Sequence, residues 1–141
     1  MLDEQLRILL VEDDVIDVMA LKRALQRCKL DTPLTVARDG IEALEILRGE
    51  ADREPLPRPY IILLDLNLPR MNGLEFLQAL RANGALQDAI VFVLTTSKAD
   101  EDKRAAYRLQ VAGYIVKSDL TESLFQVVTM LEHYSRVVEF P

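Results

Sequence analysis

The feature that most constrains this chain is an unbroken apolar run, residues 60–64, that ends on a single carboxylate, Asp65. The run is too short for a buried helix, and the turn residues Pro69 and Gly73 follow it, so it predicts a strand covered on both faces. A carboxylate at the end of a buried strand is costly unless its charge is compensated. The rest of the chain is therefore expected to supply that compensation.

Four further apolar runs predict strands, and segments with helical spacing of apolar residues separate them; the runs are 7–11, 34–37, 90–94 and 113–116. Asp14 and Asp17 stand where an N-cap and its capping-box partner would stand at the start of the first helix. The helix after Gly73 is predicted to bury Leu74, Leu77 and Leu80, with Phe76 at its edge. A charged helix is predicted over about 99–110, and a last helix follows the fifth strand.

The alternation of strands and helices predicts an α/β fold with a parallel sheet covered by helices on both faces. Right-handed crossovers leave few topologies, and a flavodoxin-like (βα)5 doubly wound sheet with strand order 2-1-3-4-5 suits five such units. In such sheets ligands bind at the carboxyl ends of the strands, near the point where the winding direction reverses. That point lies between the first and third strands.

Length and charge limit the classes of protein that fit. The 141 residues suit one domain, and a net charge of −6 argues against a basic face for nucleic acid. The single cysteine, Cys28, is interpreted as a small buried hydrophobe. We find no signal peptide and no apolar run of membrane-spanning length, so a cytoplasmic protein with no membrane contact is expected.

Polar side chains converge on the carboxyl edge of the predicted sheet; they are Glu12, Asp13, Asp65, Thr95 and Lys117. Three close carboxylates repel one another unless a cation is present, and an all-oxygen site with open positions suits Mg²⁺. A lysine and a hydroxyl beside such a metal are suited to bind phosphoryl oxygens. The pattern therefore predicts a phosphoryl-transfer site with Asp65 as the nucleophile.

Four segments resemble, in order and spacing, the receiver domain of two-component response regulators; they are 11–14, 64–73, 94–96 and 114–117. The resemblance covers nearly the whole chain. It implies that a histidine kinase phosphorylates Asp65, and that Glu12, Asp13, Asp65 and the backbone carbonyl of Asn67 hold Mg²⁺. It also implies a signalling protein that catalyses only its own phosphoryl transfer and autodephosphorylation.

The same resemblance implies that Thr95 and Lys117 bind phosphoryl oxygens, with Thr95 and Tyr114 acting as the switch. In a generic fold Tyr114 is as readily explained as core filler. Two positions depart from the family pattern: Ser118 stands where proline usually follows the lysine, and Thr96 is larger than the usual residue. A cis bond before a residue other than proline costs about 2.5–4 kcal/mol, so the geometry of the Lys117–Ser118 bond stays open.

Two other functions remain as alternatives. A phosphatase of the haloacid-dehalogenase type also uses an aspartate nucleophile, but it needs an acid two residues later, where this chain has Asn67. An interaction scaffold with a decayed, unphosphorylated site would not need to retain every polar group. Mg²⁺ and a small phosphodonor would separate the three functions by stable labelling, turnover or no reaction.

The single domain, residues 1–141, is predicted to end in a C-terminal arm at about 136–141 after a last helix that stops near Ser135 or Arg136. Without an output domain, the output is expected to be a protein contact. The proline-rich loop at 52–59 and the arm resemble single-domain regulators paired with bacterial phytochromes. Val137, Val138 and Phe140 predict a homodimer, joined by the arm and by the face of the fourth helix, fifth strand and fifth helix. A disordered tail is the alternative.

Overall fold

A five-stranded parallel sheet forms the centre of the molecule, with strand order β2-β1-β3-β4-β5. The computed structural model describes residues 5–117 and 120–141. The strands are β1 (Arg7–Val11), β2 (Leu34–Ala37), β3 (Tyr60–Leu64), β4 (Ile90–Thr95) and β5 (Gly113–Val116). The helices are α1 (Val15–Arg27), α2 (Gly40–Arg48), α3 (Gly73–Ala82), α4 (Asp100–Arg108) and α5 (Leu120–Val137). The predicted fold class and strand order are therefore confirmed.

Each face of the sheet packs against its own layer of helices, because alternate side chains of a strand point to opposite faces. Leu9, Ile62 and Val91 belong to a core shared with α2, α3 and α4. Ile8, Ile61 and Phe92 belong to a second core shared with α1 and α5. The central strand β3 is buried at all five positions, as its unbroken apolar sequence predicts.

Side-chain caps fix the starts of three helices and with them the loops that surround the carboxyl edge of the sheet. Asp14 caps α1 and Asp39 caps α2, while Asn72 and Glu75 form a capping box at α3. Ala99 precedes α4 without a side-chain cap. The predicted capping-box role of Asp17 is wrong, because its carboxylate instead accepts a hydrogen bond from Lys117.

Two details of the helices differ from the sequence prediction. Phe76 is fully buried and Leu74 only partly buried, so the apolar face of α3 is rotated toward Phe76. α5 continues to Val137, one to two residues beyond the predicted end. The Lys117–Ser118 bond lies outside the described residues. No helix among the described residues has the length and apolarity to cross a membrane.

The C-terminal segment folds back onto its own α5. Phe140 is partly buried, and its ring meets the edge of Tyr134 at a centroid distance of 6.1 Å. Tyr134 in turn meets Phe92 of β4 at 5.3 Å. Val137 remains 82% exposed. The predicted apolar strip is therefore divided, because Phe140 packs on the domain while Val137 faces outward.

Candidate functional site

The ends of β1 and β3 bring two buried carboxylates together. Val11 and Leu64 are partners in the β1–β3 ladder, and the next amide, that of Asp65, donates to the carbonyl of Val11 at 3.0 Å. The amide of Glu12 donates to Ala37 of β2 at 2.8 Å. Backbone hydrogen bonds therefore hold Glu12 and Asp65, which are 3% and 7% exposed, in neighbouring positions at the carboxyl edge.

Asp13 completes a cluster of three carboxylates with Glu12 and Asp65, each offering an oxygen within 4.8 Å of the others. Asp13 is exposed, so the cluster opens to solvent on one side. Carboxylates this close repel one another, and a divalent cation relieves that repulsion. Oxygen ligands with open positions for water fit the coordination of Mg²⁺.

Asn67 lies in the loop after β3, close to the cluster. Its backbone amide donates to Oδ1 of Asp65 at 3.3 Å, which ties the start of the loop to that carboxylate. The predicted role of its backbone carbonyl as a metal ligand stays a prediction.

Lys117, directly after β5, is the cation of this site. Its side chain is 4% exposed, and Nζ lies 2.6 Å from Oε1 of Glu12, 2.8 Å from Oδ2 of Asp17 and 3.8 Å from Oδ2 of Asp65. Burial alone would lower the pKa of Lys117, but the hydrogen bonds to Asp17 and Glu12 outweigh it and the net shift is upward. Lys117 is therefore a permanent positive charge among carboxylates.

For Glu12, unlike Lys117, burial has a larger effect on the pKa than the charged partner has. Burial raises the pKa of Glu12 to about 7, and the nearby charge of Asp65 adds to the increase, while Lys117 opposes it. A cation beside Glu12 would favour its ionised form. The electrostatics of the site thus favour binding of a positive ion at the cluster.

Thr95 and Tyr114 connect the site to the loop between β4 and α4. Thr95 is fully buried, and its hydroxyl oxygen accepts a hydrogen bond from the amide of Ser97 at 3.3 Å. The hydroxyl of Tyr114 donates to the carbonyl of the same Ser97 at 2.9 Å, and burial raises the pKa of Tyr114. The Ser97 hydroxyl donates to Asp102 at 2.7 Å. Ser97 is therefore the point at which Thr95, Tyr114 and α4 meet.

An ion pair between buried Asp39 and the exposed side chain of Arg70, on the other side of the loop after β3, was not foreseen. Nε of Arg70 donates to Oδ2 of Asp39 at 2.7 Å, and the amide of Gly40 donates to the carbonyl of Met71 at 3.0 Å. These contacts hold the loop that carries Asn67 against the start of α2. Nothing in the sequence indicated that Asp39 and Arg70 would be partners.

The model of the response regulator receiver domain family matches residues 8–129. This chain belongs to that family. Receiver domains are signalling modules, and the resemblance drawn from the four sequence segments is confirmed.

Proteins that resemble this chain match it over most of its length. Rcp1 of Synechocystis sp. is 39% identical over 127 residues, which are 90% of this chain and 86% of Rcp1. The crystal structure of Mn²⁺-bound Rcp1 matches with a TM-score of 0.84 at 38% identity, covering 97% of this chain and 99% of that one. The phosphorylated cyanobacterial phytochrome response regulator RcpA matches with a TM-score of 0.87 at 36% identity, covering 97% and 99%. The bacteriophytochrome response regulator AtBRR matches with a TM-score of 0.75 at 36% identity, covering 92% and 94%.

The receiver fold brings the sequence-predicted residues to one edge of the sheet; they are Glu12, Asp13, Asp65, Asn67, Thr95, Tyr114 and Lys117. Asp17 was missed as a site residue because its position in the first helical turn already had a local explanation. Its contact with Lys117 spans 100 residues of sequence, and only the packing of α1 beside the end of β5 makes it visible.

Proposed function

We propose that Asp65 of this receiver domain accepts a phosphoryl group from a sensor histidine kinase, and that the domain then signals through a phosphorylation-dependent protein contact. The observation that carries the proposal is the approach of buried Asp65 to two further carboxylates and to Lys117 at one sheet edge. In this proposal residues 1–141 act as one receiver domain with a C-terminal arm at about 136–141.

The proposed transfer is a displacement at phosphorus. A carboxylate oxygen of Asp65 attacks, the new O–P bond forms, and the N–P bond of the phosphohistidine breaks with its electron pair on the imidazole nitrogen, which then takes a proton. Lys117 and the hydroxyl of Thr95 hold the phosphoryl oxygens, where negative charge is concentrated. Water later cleaves the aspartyl phosphate, so the only chemistry of the domain is on itself.

Glu12, Asp13, Asp65 and the backbone carbonyl of Asn67 would hold Mg²⁺, which supplies positive charge against the phosphoryl oxygens when it is bound. The three carboxylates lie close enough for one ion, and because burial raises the pKa of Glu12 to about 7, a cation beside it would favour its ionised form. The Mn²⁺-bound form of the relative Rcp1 supports a divalent cation at this site.

The output would pass through the loop after β4. A phosphoryl group adds close to two negative charges, and Thr95 is expected to follow it. Thr95 and Tyr114 both bind Ser97, so a shift of this loop reaches Tyr114 and the face formed by α4, β5 and α5. Both residues together would act as the switch.

A protein donor fits the surface next to Asp65. Val15, Ile16 and Met19 are 68%, 72% and 46% exposed on α1, and Val15 shares a cleft of about 310 Å³ with Glu12 and Asp13. A histidine that reaches Asp65 must cover this rim, and exposed apolar side chains are typical of such contacts. The phytochrome response regulators among the relatives support a phytochrome as the kinase.

The first test is Asp65→Asn, which removes the nucleophilic oxygen with little change in shape. We expect acetyl phosphate and Mg²⁺ to label the unmodified protein and not the variant, as measured by intact mass or by radiolabel. Asp52→Asn, in the exposed loop before β3, is the matched control and should label normally.

Labelling of Asp65→Asn at the rate of the unmodified protein would contradict the assignment. Multiple turnovers of phosphate without stable labelling would favour the aspartate-nucleophile phosphatase, and no reaction with any donor would favour the scaffold.

We also propose a homodimer through the C-terminal arm and the face of α4, β5 and α5. An apolar groove of about 610 Å³ runs along α5, and its lining includes Phe125, Met130, Tyr134, Val137 and Val138. Exposed apolar surface of this kind usually marks an interface. A second copy fits because a two-fold axis lets the same groove and arm serve both protomers.

A further inference from the structure

The ammonium of Lys117 is held by carboxylates other than that of Asp65. Nζ makes hydrogen bonds of 2.6 Å to Glu12 and 2.8 Å to Asp17, but it lies 3.8 Å from Asp65, beyond hydrogen-bond distance. A lysine ammonium has three N–H donors, and two of them are engaged. Lys117 is therefore drawn toward α1 and away from the residue that it serves in the proposed function.

Asp17 differs from the other carboxylates around Lys117. It does not belong to the three-carboxylate cluster formed by Glu12, Asp13 and Asp65 in the described part of the chain. It also takes no part in capping α1, because Asp14 alone accepts from the amide of Ile16. Its side chain is 16% exposed, and among the described residues it is held by the hydrogen bond from Lys117.

A phosphoryl group on Asp65 would change the competition for Lys117. Its oxygens carry close to two negative charges and accept strong hydrogen bonds. Glu12 also belongs to the metal cluster, whereas in the described part of the chain the partner of the Asp17 side chain is Lys117. The third N–H donor of Lys117 can turn to one phosphoryl oxygen, but a closer approach to the phosphoryl group draws Lys117 away from Asp17.

We propose that Asp17 is a positioning residue that holds Lys117 back from Asp65 and competes with the phosphoryl group for it. The inference rests on the proposed function of Asp65. Asp17 thereby weakens the hold of the site on a phosphoryl group. It also connects the site to α1, the helix whose exposed apolar face borders the cleft beside the metal cluster.

The test is the affinity for beryllofluoride, which imitates a phosphoryl group on a carboxylate, in the full chain at saturating Mg²⁺. Asp17→Asn removes the charge and keeps the shape, so Lys117 is freed toward Asp65. We expect beryllofluoride to bind roughly three- to tenfold more tightly by calorimetry, the equilibrium equivalent of one modest hydrogen bond. The concentration of acetyl phosphate that gives half-maximal labelling should also be lower for Asp17→Asn.

Three measurements separate positioning from a general effect of charge or stability. Asp14→Asn removes the same charge from the same end of α1 without touching Lys117, and Asn is also a good N-cap, so affinity should stay within about twofold. Asp17→Glu restores a carboxylate and should return the affinity toward that of the unmodified protein. The Mg²⁺ affinity of each variant is measured without beryllofluoride, so that a change in metal binding is recognised.

Unchanged or weaker beryllofluoride binding by Asp17→Asn would overturn the inference, as would an equal gain in Asp14→Asn. If Asp17→Asn does not fold, Asp17→Ser is subject to the same criteria. Failure of the proposed function looks different, because the unmodified protein itself would then bind no beryllofluoride and take no label from acetyl phosphate.

Discussion

At the scale of single residues, Asp39 shows how a buried carboxylate is stabilised without any role in the chemistry. Burial alone would raise the pKa of Asp39, but hydrogen bonds from the Glu42 amide and the Arg70 guanidinium lower it below its ordinary value. A group with a lowered folded pKa contributes stability that is present above its unfolded pKa, about 3.9 for aspartate, and is lost as the pH falls through the folded value.

Arg70→Ala is therefore expected to lower the free energy of unfolding at pH 7, because it removes the guanidinium that helps to lower the pKa of buried Asp39. At the positive φ of 59° found at this position, alanine and arginine are similarly disfavoured, so the substitution adds little backbone strain of its own. The difference between the variant and the unmodified protein should shrink as the pH falls below about 4. Urea unfolding at several pH values measures both effects.

Arg53→Ala is the control, because Arg53 pairs with the more exposed Glu42 at 3.0 Å. Its cost is expected to be about half as large or less. An equal cost at both arginines, or a cost of Arg70→Ala that does not vary with pH, would contradict the role given to buried Asp39.

The residues of the site divide according to what a sequence can reveal. Asp65 and Lys117 could be predicted because each directly follows an apolar strand, and the fold class alone brings such positions to one edge. Asp17 and Arg70 could not, because each binds a side chain from a remote segment. Their partners depend on how α1 packs beside β5 and how the loop after β3 closes on α2.

At the scale of secondary-structure elements, the start of α3 fits closely against the end of β3. A Cβ atom on Gly73 would lie 2.5 Å from the carbonyl oxygen of Asp65 and 2.7 Å from Cα of Leu66. Both neighbours are backbone, so neither can rotate away. Gly73 thus sets the distance between α3 and the residue that carries the chemistry.

Gly73→Ala is expected to destabilise the domain by about 1–3 kcal/mol, the usual range for overpacking. It should also weaken beryllofluoride binding, since relief of the clash displaces Asp65. Gly84→Ala is the matched control, because no atom lies within 4 Å of a Cβ at that position. Thermal unfolding and calorimetry of both variants test the idea, and equal stability of the two would show that α3 can move away without cost.

The elements themselves were predicted with uneven success. Strands such as β3 were placed correctly because a short apolar run followed by turn residues is too short for a buried helix. The predicted face of α3 differed from the structure at Phe76, because three leucines at helical spacing suggested a stripe with Phe76 only at its edge. The side of an amphipathic helix that is most deeply buried depends on the elements against which the helix packs. Phe76 packs in the core that includes residues of α2 and α3.

At the scale of the whole molecule, the two helical layers are covered unequally. The layer of α1 and α5 contains Tyr134, whose ring lies between those of Phe92 and Phe140. The outer side of α5 is left with exposed apolar side chains, among them Met130 and Val137, which are 36% and 82% exposed. An intramolecular arm covers part of this surface, and the proposed second copy would cover the rest.

The last prediction is that removal of residues 137–141 converts a dimer into a monomer. The deletion removes Val137, which lines the groove and is exposed, and Phe140, whose ring contacts Tyr134. The groove therefore loses part of its apolar lining. Sedimentation equilibrium of the full chain and of the deletion, each with and without beryllofluoride, gives the masses and shows whether phosphorylation changes them.

Met130→Glu places a charge in the groove and should weaken the dimer without shortening the chain. Met19→Glu makes the same change at an exposed methionine of α1 and should leave the mass unchanged. A full-length monomer at high concentration would refute the dimer, and an unchanged dimer after the deletion would show that the arm does not join the protomers.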